Sequence, residues 1–240
     1  MRGLILAIQF LTRLPTPPLR DFDPAELTRS AVWFPLVGIM IGAVVLTTSW
    51  LGARLDPWLG ALLGLLAWVW VTGGLHLDGL SDLFDDLGAA HRDPTRLSGV
   101  IRDPHIGGMG ALALGLQLIT KLVLLMLIVR EGLWLALLLI PAWGRLGTLI
   151  WARLLPPRDP ELGERLAWRI PPWAFVGWGL LLLAAAFVWV PVLLLAPLIL
   201  GFWAIFLHWK VGGMSGDMLG AGTEVSESLL LALACAWALT

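Results

Sequence analysis

The sequence predicts an all-α, polytopic integral-membrane protein, with about seven transmembrane helices behind a short interfacial one. Two observations carry that prediction. The 240 residues are 58% hydrophobic and only 14% charged, with a mean hydropathy of +0.85. A soluble domain has roughly 25% charged residues, so most of this surface faces lipid. Apolar runs able to cross roughly 30 Å of hydrocarbon also recur, at 31–52, 57–75, 107–129, 132–151, 172–190, 192–208 and 219–239. They consume most of the chain, which leaves residues 1–240 as one integral-membrane domain.

The N-terminal stretch Met1–Pro15 (MRGLILAIQFLTRLP) is apolar for about nine residues and has no small-residue cleavage site, so it is expected to lie along the interface. Residues 170–207 carry no charge after Arg169 and are too long for one crossing. Pro191 and Pro197 are the breakers there, and a tight re-entry is expected near Pro191. Orientation follows from the cations between spans. If the spans alternate, one side receives Arg2, Arg13, Arg20, Arg29, Arg92, Arg96, Arg102, Arg153, Arg158, Arg165, Arg169 and Lys210, and the other only Arg54 and Arg130. Such a bias makes the first side cytoplasmic, as expected for a multi-pass protein of the inner (cytoplasmic) membrane of a bacterial or archaeal cell. The polar clusters in 76–106 and 209–218 then share that side. The excess of Arg over Lys suits phosphate but follows equally from a GC-rich genome, the favoured reading. Cys235 has no partner for an internal disulfide and is expected only to pack. The 15 tryptophans are expected at the interfacial belts.

Three clusters carry chemistry. In His76–Asp86 (HLDGLSDLFDD), Asp78, Asp82 and Asp85 fall within about 60° on a helix, a single acidic stripe. Carboxylates this close repel and raise one another's pKa unless a cation intervenes, and oxygen donors alone suit Mg²⁺ or Mn²⁺. The plain alternative is a solvated face with Leu80, Leu83, Phe84 and Leu87 packed inward. It leaves unexplained the absence of Lys or Arg between 76 and 91, so the metal reading is favoured. His76 either meets a phosphate, positions a carboxylate or is merely interfacial, as His91 and His208 are expected to be. In Ile101–Gly110 (IRDPHIGGMG), Arg102 and His105 are candidate phosphate contacts and Asp103 a candidate metal ligand. In Val211–Glu227 (VGGMSGDMLGAGTEVSE), the turn containing Gly213, Ser215 and Gly216 before a helix is a candidate anion cradle, with Asp217 at its entrance. Glu224 and Glu227 lie roughly 7–12 Å into the last span at 1.5 Å per residue, and intramembrane acids are functional candidates. Arg145, roughly 9 Å inside its span, is placed as a phosphate contact. Lys121 is deeper and expected to snorkel the other way.

Taken together, five segments resemble the cobalamin synthase family, the adenosylcobinamide-GDP ribazoletransferases: QFLTRLP at Gln9–Pro15, FPLVG at Phe34–Gly38, GGLHLDGLSDLFD at Gly73–Asp85, RDPHIG at Arg102–Gly107, and GGMSGDMLGA at Gly212–Ala221 with its downstream glutamates. The resemblance covers nearly the whole chain. It departs at Asp86, where glycine is expected, at Ser215 for threonine, and at Pro104–His105 for Ser-Arg. It implies a last step of vitamin B12 assembly: α-ribazole, or its 5′-phosphate, attacks the cobinamide-linked phosphorus of adenosylcobinamide-GDP and GMP leaves. Mg²⁺ is the implied metal. Asp78, Asp82 and Asp85 match the family's acidic motif, and Asp103, Asp217 and Glu224 its other acidic positions.

The mechanism expected on that footing has Mg²⁺ on the diphosphate, Asp85 as first choice for general base with Asp82 beside it, and Arg102 and Arg145 on phosphate oxygens. The expected partners are those small molecules and the lipid bilayer, with no nucleic acid and with homo-oligomerisation left open. Two rivals stand. An intramembrane Mg²⁺-dependent prenyltransferase also uses spaced aspartates but normally has two comparable Asp-rich motifs. An ion-coupled transporter would use Glu224 and Glu227 as cation sites, yet no internal repeat is visible.

Overall fold

A computed structural model of the chain describes residues 2–19, 24–92, 106–158 and 170–239. Helix α1, Arg2–Leu11, buries Leu6, Ala7, Ile8 and Leu11. It ends where the Thr12 hydroxyl donates to Ile8 O at 2.7 Å and accepts from Leu14 N at 3.2 Å, just before Pro15. Helix α2, Pro24–Ser30, is joined to it by the Arg2–Glu26 ion pair. A 3₁₀ turn, Ala31–Trp33, then leads into α3, Phe34–Ala53. Glycines 38 and 42 let α3 lie directly on the backbone of α7, Trp134–Leu154: an added Cβ at either would stand 2.5 Å from Pro141 O or Leu137 O. Such close approach is how membrane helices gain packing without a hydrophobic drive.

Helix α4, Pro57–Thr72, starts under Asp56, whose carboxylate accepts from Trp58 N and Leu59 N, with Pro57 in the first turn. It stops three residues short of the expected span. Gly73 and Gly74 both take left-handed φ, 64° and 74°, closing α4 as glycine does, and the chain turns through 85° into α5, Leu75–Arg92. The acidic stripe therefore lies on a helix set across the end of the bundle, outside the spans. Among the described residues, six helices are long and apolar enough to cross a membrane, and α4, shorter than these, passes the same test only when taken together with α5. No strand occurs among them. The protein is all-α and multi-pass, as expected.

The remaining crossings are α6, Gly108–Arg130, then α7, then α8, Pro172–Trp189. The chain re-enters at the expected proline through a 3₁₀ turn, Pro191–Leu195, followed by α9, Ala196–Phe206, and a π turn, Leu207–Val211. Helix α10, Gly216–Ala238, closes the fold. Val176, Leu180, Leu181, Phe187 and Val188 make α8 a largely lipid-facing helix, whereas α7 is buried nearly all round. Past α7, Pro156 O accepts from Met214 N and Arg158 N donates to Met214 O, both at 2.9 Å. This short clasp ties the end of α7 to the glycine turn before α10. It gathers α5, the start of α6 and the start of α10 at one end of the bundle, where the alternation of spans places them.

Candidate active site

Helix α5 crosses the first turns of α10 at glycine. A Cβ on Gly79 would stand 2.6 Å from Asp217 O, and one on Gly220 would stand 3.3 Å from His76 Cα. The glycine between Asp78 and Asp82 therefore sets both carboxylates beside Asp217, a residue some 140 positions downstream in the sequence. Asp78 and Asp82 are exposed and Asp217 is half-buried. The Asp82 carboxyl is pushed up to about 6, first by partial burial, then by Asp217, Asp78, Asp86 and Asp85. Asp86 is raised as well, chiefly by burial, with nearby Arg158 pulling it back and Asp85 pushing it up. Asp217 stands in the first turn of α10, whose cap is the Ser215 hydroxyl accepting from Met218 N. Its charge is favoured there by the helix dipole.

Asp85, the first choice for general base, has another task. Its two oxygens accept from Gly107 N at 2.7 Å and Gly110 N at 2.8 Å. Gly107 has no side chain to cap α6, and a Cβ on Gly107 or Gly110 would collide with the Asp85 carboxylate. Asp85 thus supplies from α5 the cap that α6 lacks. Gly107 and Gly110 leave room for this carboxylate.

Deeper in the bundle lies a second charged group. Lys121 Nζ reaches Glu224 Oε2 at 2.8 Å and Glu227 Oε2 at 2.6 Å, and Arg145 pairs with Glu227 Oε1. Gln117 Nε2 donates to Glu224 Oε2 at 2.8 Å and to Ser228 Oγ at 2.9 Å. Lys121 also stands 4.3 Å from the centre of the Trp68 ring. His76 Nδ1 lies 3.4 Å from Arg145 Nη2, and as guanidinium only donates, that nitrogen is the acceptor. Two acids face two bases, all buried. Four side chains stand otherwise than expected. Arg145 is consumed by Glu227 and faces no open site. Glu224, expected as a metal ligand, is held by Lys121 and Gln117. His76 is walled in beneath Arg145 and contacts no phosphate site. Lys121, expected to snorkel away, is the hub. The signal for it was present: Gln117 and Lys121 are i, i+4 on α6, opposite Glu224 and Glu227 at i, i+3.

At the glycine turn, Gly213 is buried under the clasp, where a Cβ would stand 2.6 Å from Pro156 O. It serves packing and is not open to an anion. Gly216 is exposed beside Asp217. Arg102, Asp103 and His105 lie outside the described residues. Among the described residues no three acidic, histidine or cysteine side chains converge closely enough to enclose a metal ion.

A cavity of about 660 Å³ opens beside the stripe, between the end of α1, the Gly73–Gly74 bend and α6. Asp78 stands on its wall together with Phe10, Arg13 and Leu118. From its residues, this end of α1 is expected only to lie along the interface.

Residues 3–235 match the family model described as cobalamin-5-phosphate synthase. The chain belongs to the cobalamin-5-phosphate synthase family. Relatives named adenosylcobinamide-GDP ribazoletransferase include that of Thiobacillus denitrificans, 53% identical over 98% of this chain and 95% of its own. That of Laribacter hongkongensis is 58% identical over 98% and 96%, and that of Novosphingobium aromaticivorans 48% over 96% and 95%. No solved structure matches the chain. Membership of the cobalamin-5-phosphate synthase family displaces the prenyltransferase alternative. The pairing of Glu224 and Glu227 with Lys121 and Arg145 removes the free intramembrane acids on which the transporter alternative depended.

Proposed function

We propose that the chain transfers the phosphocobinamide group of adenosylcobinamide-GDP to ribazole and releases GMP, at the cytoplasmic face of a bacterial inner membrane. The observation that carries this reading is the crossing at Gly79, which brings α5 against Asp217 so that Asp217 and Asp78 both crowd Asp82. The uneven distribution of Arg and Lys between the two sides supports the cytoplasmic placement.

In the reaction, a ribose hydroxyl oxygen of the acceptor attacks the phosphorus that carries cobinamide. The P–O bond to the guanylate phosphate breaks and GMP departs with that bond's electrons. Asp82 takes the hydroxyl proton, since a carboxyl near 6 is ionised at neutral pH yet holds a proton better than an ordinary aspartate. Asp85 is the less favoured base, because each of its oxygens already accepts an N–H bond at the start of α6.

The donor set fits Mg²⁺: carboxylate oxygens on an exposed face, with no thiolate or imidazole among them. Water and substrate phosphate would complete the shell of an ion held there. Asp78 and Asp217 would hold the ion, and when bound it would neutralise charge on the diphosphate. The test is direct: purified protein, adenosylcobinamide-GDP, α-ribazole and Mg²⁺, with GMP followed by chromatography. Stoichiometric release of GMP with formation of the nucleotide-loop product is expected. Folded protein that releases none with either the free or the phosphorylated acceptor would overturn the proposal.

A further inference from the structure

We infer that the cavity at the end of α1 seats the acceptor nucleoside, and that Arg13 is the residue that selects its 5′-phosphorylated form. This rests on the proposed function and goes beyond it, because it says which acceptor is used and which side chain decides.

Size comes first. About 660 Å³ lies within the roughly 300–1,000 Å³ of small-molecule sites and suits a nucleoside monophosphate. A corrinoid joined to a guanosine diphosphate is far larger, so this cavity is not where that partner rests as a whole. The walls divide by chemistry. Phe10, Leu114 and Leu118 offer an apolar, partly aromatic surface for a flat heterocyclic base. The Phe10 ring is held in place by stacking on Phe34, with centroids 5.8 Å apart and planes 13° from parallel. Asp78, the end of the acidic stripe, also lines the cavity. A ribose beside Asp78 brings its hydroxyls to the end of the stripe, one helical turn from Asp82.

Arg13 supplies the anion site. Its backbone is fixed by donation from Arg13 N to Val71 O at 2.8 Å, so the side chain starts from a defined point over the α4–α5 bend. The guanidinium lies across Gly73: a Cβ there would stand 2.5 Å from Arg13 Nε, and φ of +64° excludes other residues in any case. Among the described residues its side chain makes one hydrogen bond, the long 3.4 Å donation from Nη2 to Gly73 O, and no ion pair. A guanidinium has five N–H donors in a fork that matches phosphate. Most of those donors are therefore available on the wall of the cavity that Asp78 also lines. The lining complements the three parts of a nucleotide: phosphate on Arg13, base on the apolar side chains, and the ribose that joins them beside Asp78. Gly74, φ +74° with open space around its Cβ position, leaves the floor clear. The family description specifies a 5-phosphate product, whereas the relatives' names specify only ribazole. Arg13 is the feature of this chain that bears on that difference.

The test compares free α-ribazole and α-ribazole 5′-phosphate as acceptors, with GMP release as readout. The unaltered protein is expected to show the lower KM for the phosphorylated acceptor. Loss of a charge-assisted contact in Arg13→Gln should raise that KM about 10- to 100-fold, while KM for the free nucleoside stays within about twofold. Arg13→Lys keeps the charge without the fork and is expected to fall between. A phosphate group on a lipid headgroup would satisfy Arg13 by the same chemistry, so the series is run in nanodiscs of phosphatidylcholine and of phosphatidylglycerol. Lower KM for the free acceptor in the unaltered protein overturns the inference, as does equal loss with both acceptors. An Arg13→Gln defect confined to anionic discs assigns Arg13 to lipid and overturns it too. In each of these results GMP is still released, which separates failure here from failure of the proposed function.

Discussion

Two groups of charges face each other across about two turns of α10, and they are built on opposite terms. At the mouth, Asp78, Asp82, Asp86 and Asp217 crowd together, and partial burial with their repulsion lifts Asp82 to about 6. Beneath them, Glu224 and Glu227 are matched by Lys121 and Arg145, with Gln117 and Ser228 taking up remaining hydrogen-bond capacity. Inside the bundle an unpaired charge is too costly to keep, so every charge has its partner within the protein. At the boundary water tolerates unbalanced carboxylates, and their balance is left to come from outside. The deep group holds α6, α7 and α10 in register. The shallow one is left in tension for a ligand to resolve.

The comparison breaks most sharply at Asp82. Asp82→Asn is expected to lower the rate of GMP release by at least ~100-fold, the scale of losing one group that acts in the transition state, while the protein inserts and melts as before or slightly higher. A substantial rate in Asp82→Asn would remove the base. Glu227→Gln reverses the pattern. It leaves Lys121 and Arg145 sharing one carboxylate in the bundle interior, a loss of about 3–5 kcal/mol when a buried pair is broken. Folded yield and melting temperature in detergent should fall, and activity only in proportion to folded protein. The double variant Lys121→Met with Glu224→Gln removes one cation and one acid and leaves the Arg145–Glu227 pair intact. It is expected to melt above Glu227→Gln. A lower melt for the double variant would mean that the buried charges are not acting as balanced pairs.

The unevenness of what could be read from residues alone follows the same division. Apolar runs, Pro191 and the cation count led to an all-α multi-pass fold with its clusters at one end, because burial in lipid writes itself into composition. The acidic stripe was legible because 100° per residue is local geometry. The 85° turn at Gly73–Gly74 was not, since an apolar run continues through it to Leu75 and only the left-handed φ of both glycines marks the end of α4. The partners of Arg145 and Glu224 were hidden for a related reason. An intramembrane charge is a candidate for function until its partner is known, and the partners stand on other helices more than 80 residues away. Asp85 shared the periodicity of Asp78 and Asp82, but its role depends on where α6 begins.

The gentlest probe of the contrast is pH. Between the ordinary aspartate value near 4 and about 6, folded Asp82 keeps a proton that the unfolded chain has released. The folded state therefore binds more protons in that window, and stability falls as pH rises through it. Above it Asp82 is ionised and faces Asp217 and Asp78 at full charge. Mg²⁺ held by Asp78 and Asp217 would relieve that repulsion. Melting of the substrate-free protein in detergent should accordingly drop by a few degrees, on the order of the shift for ~1 kcal/mol, between pH 5 and pH 7.5. Mg²⁺ should restore it at pH 7.5 and do little at pH 5, where the proton already does the same work. Asp82→Asn should flatten both dependences, whereas Lys121→Met with Glu224→Gln should leave them intact, because the deep charges are paired with one another and not with the mouth. An equal Mg²⁺ effect at both pH values would show that the ion stabilises the protein elsewhere.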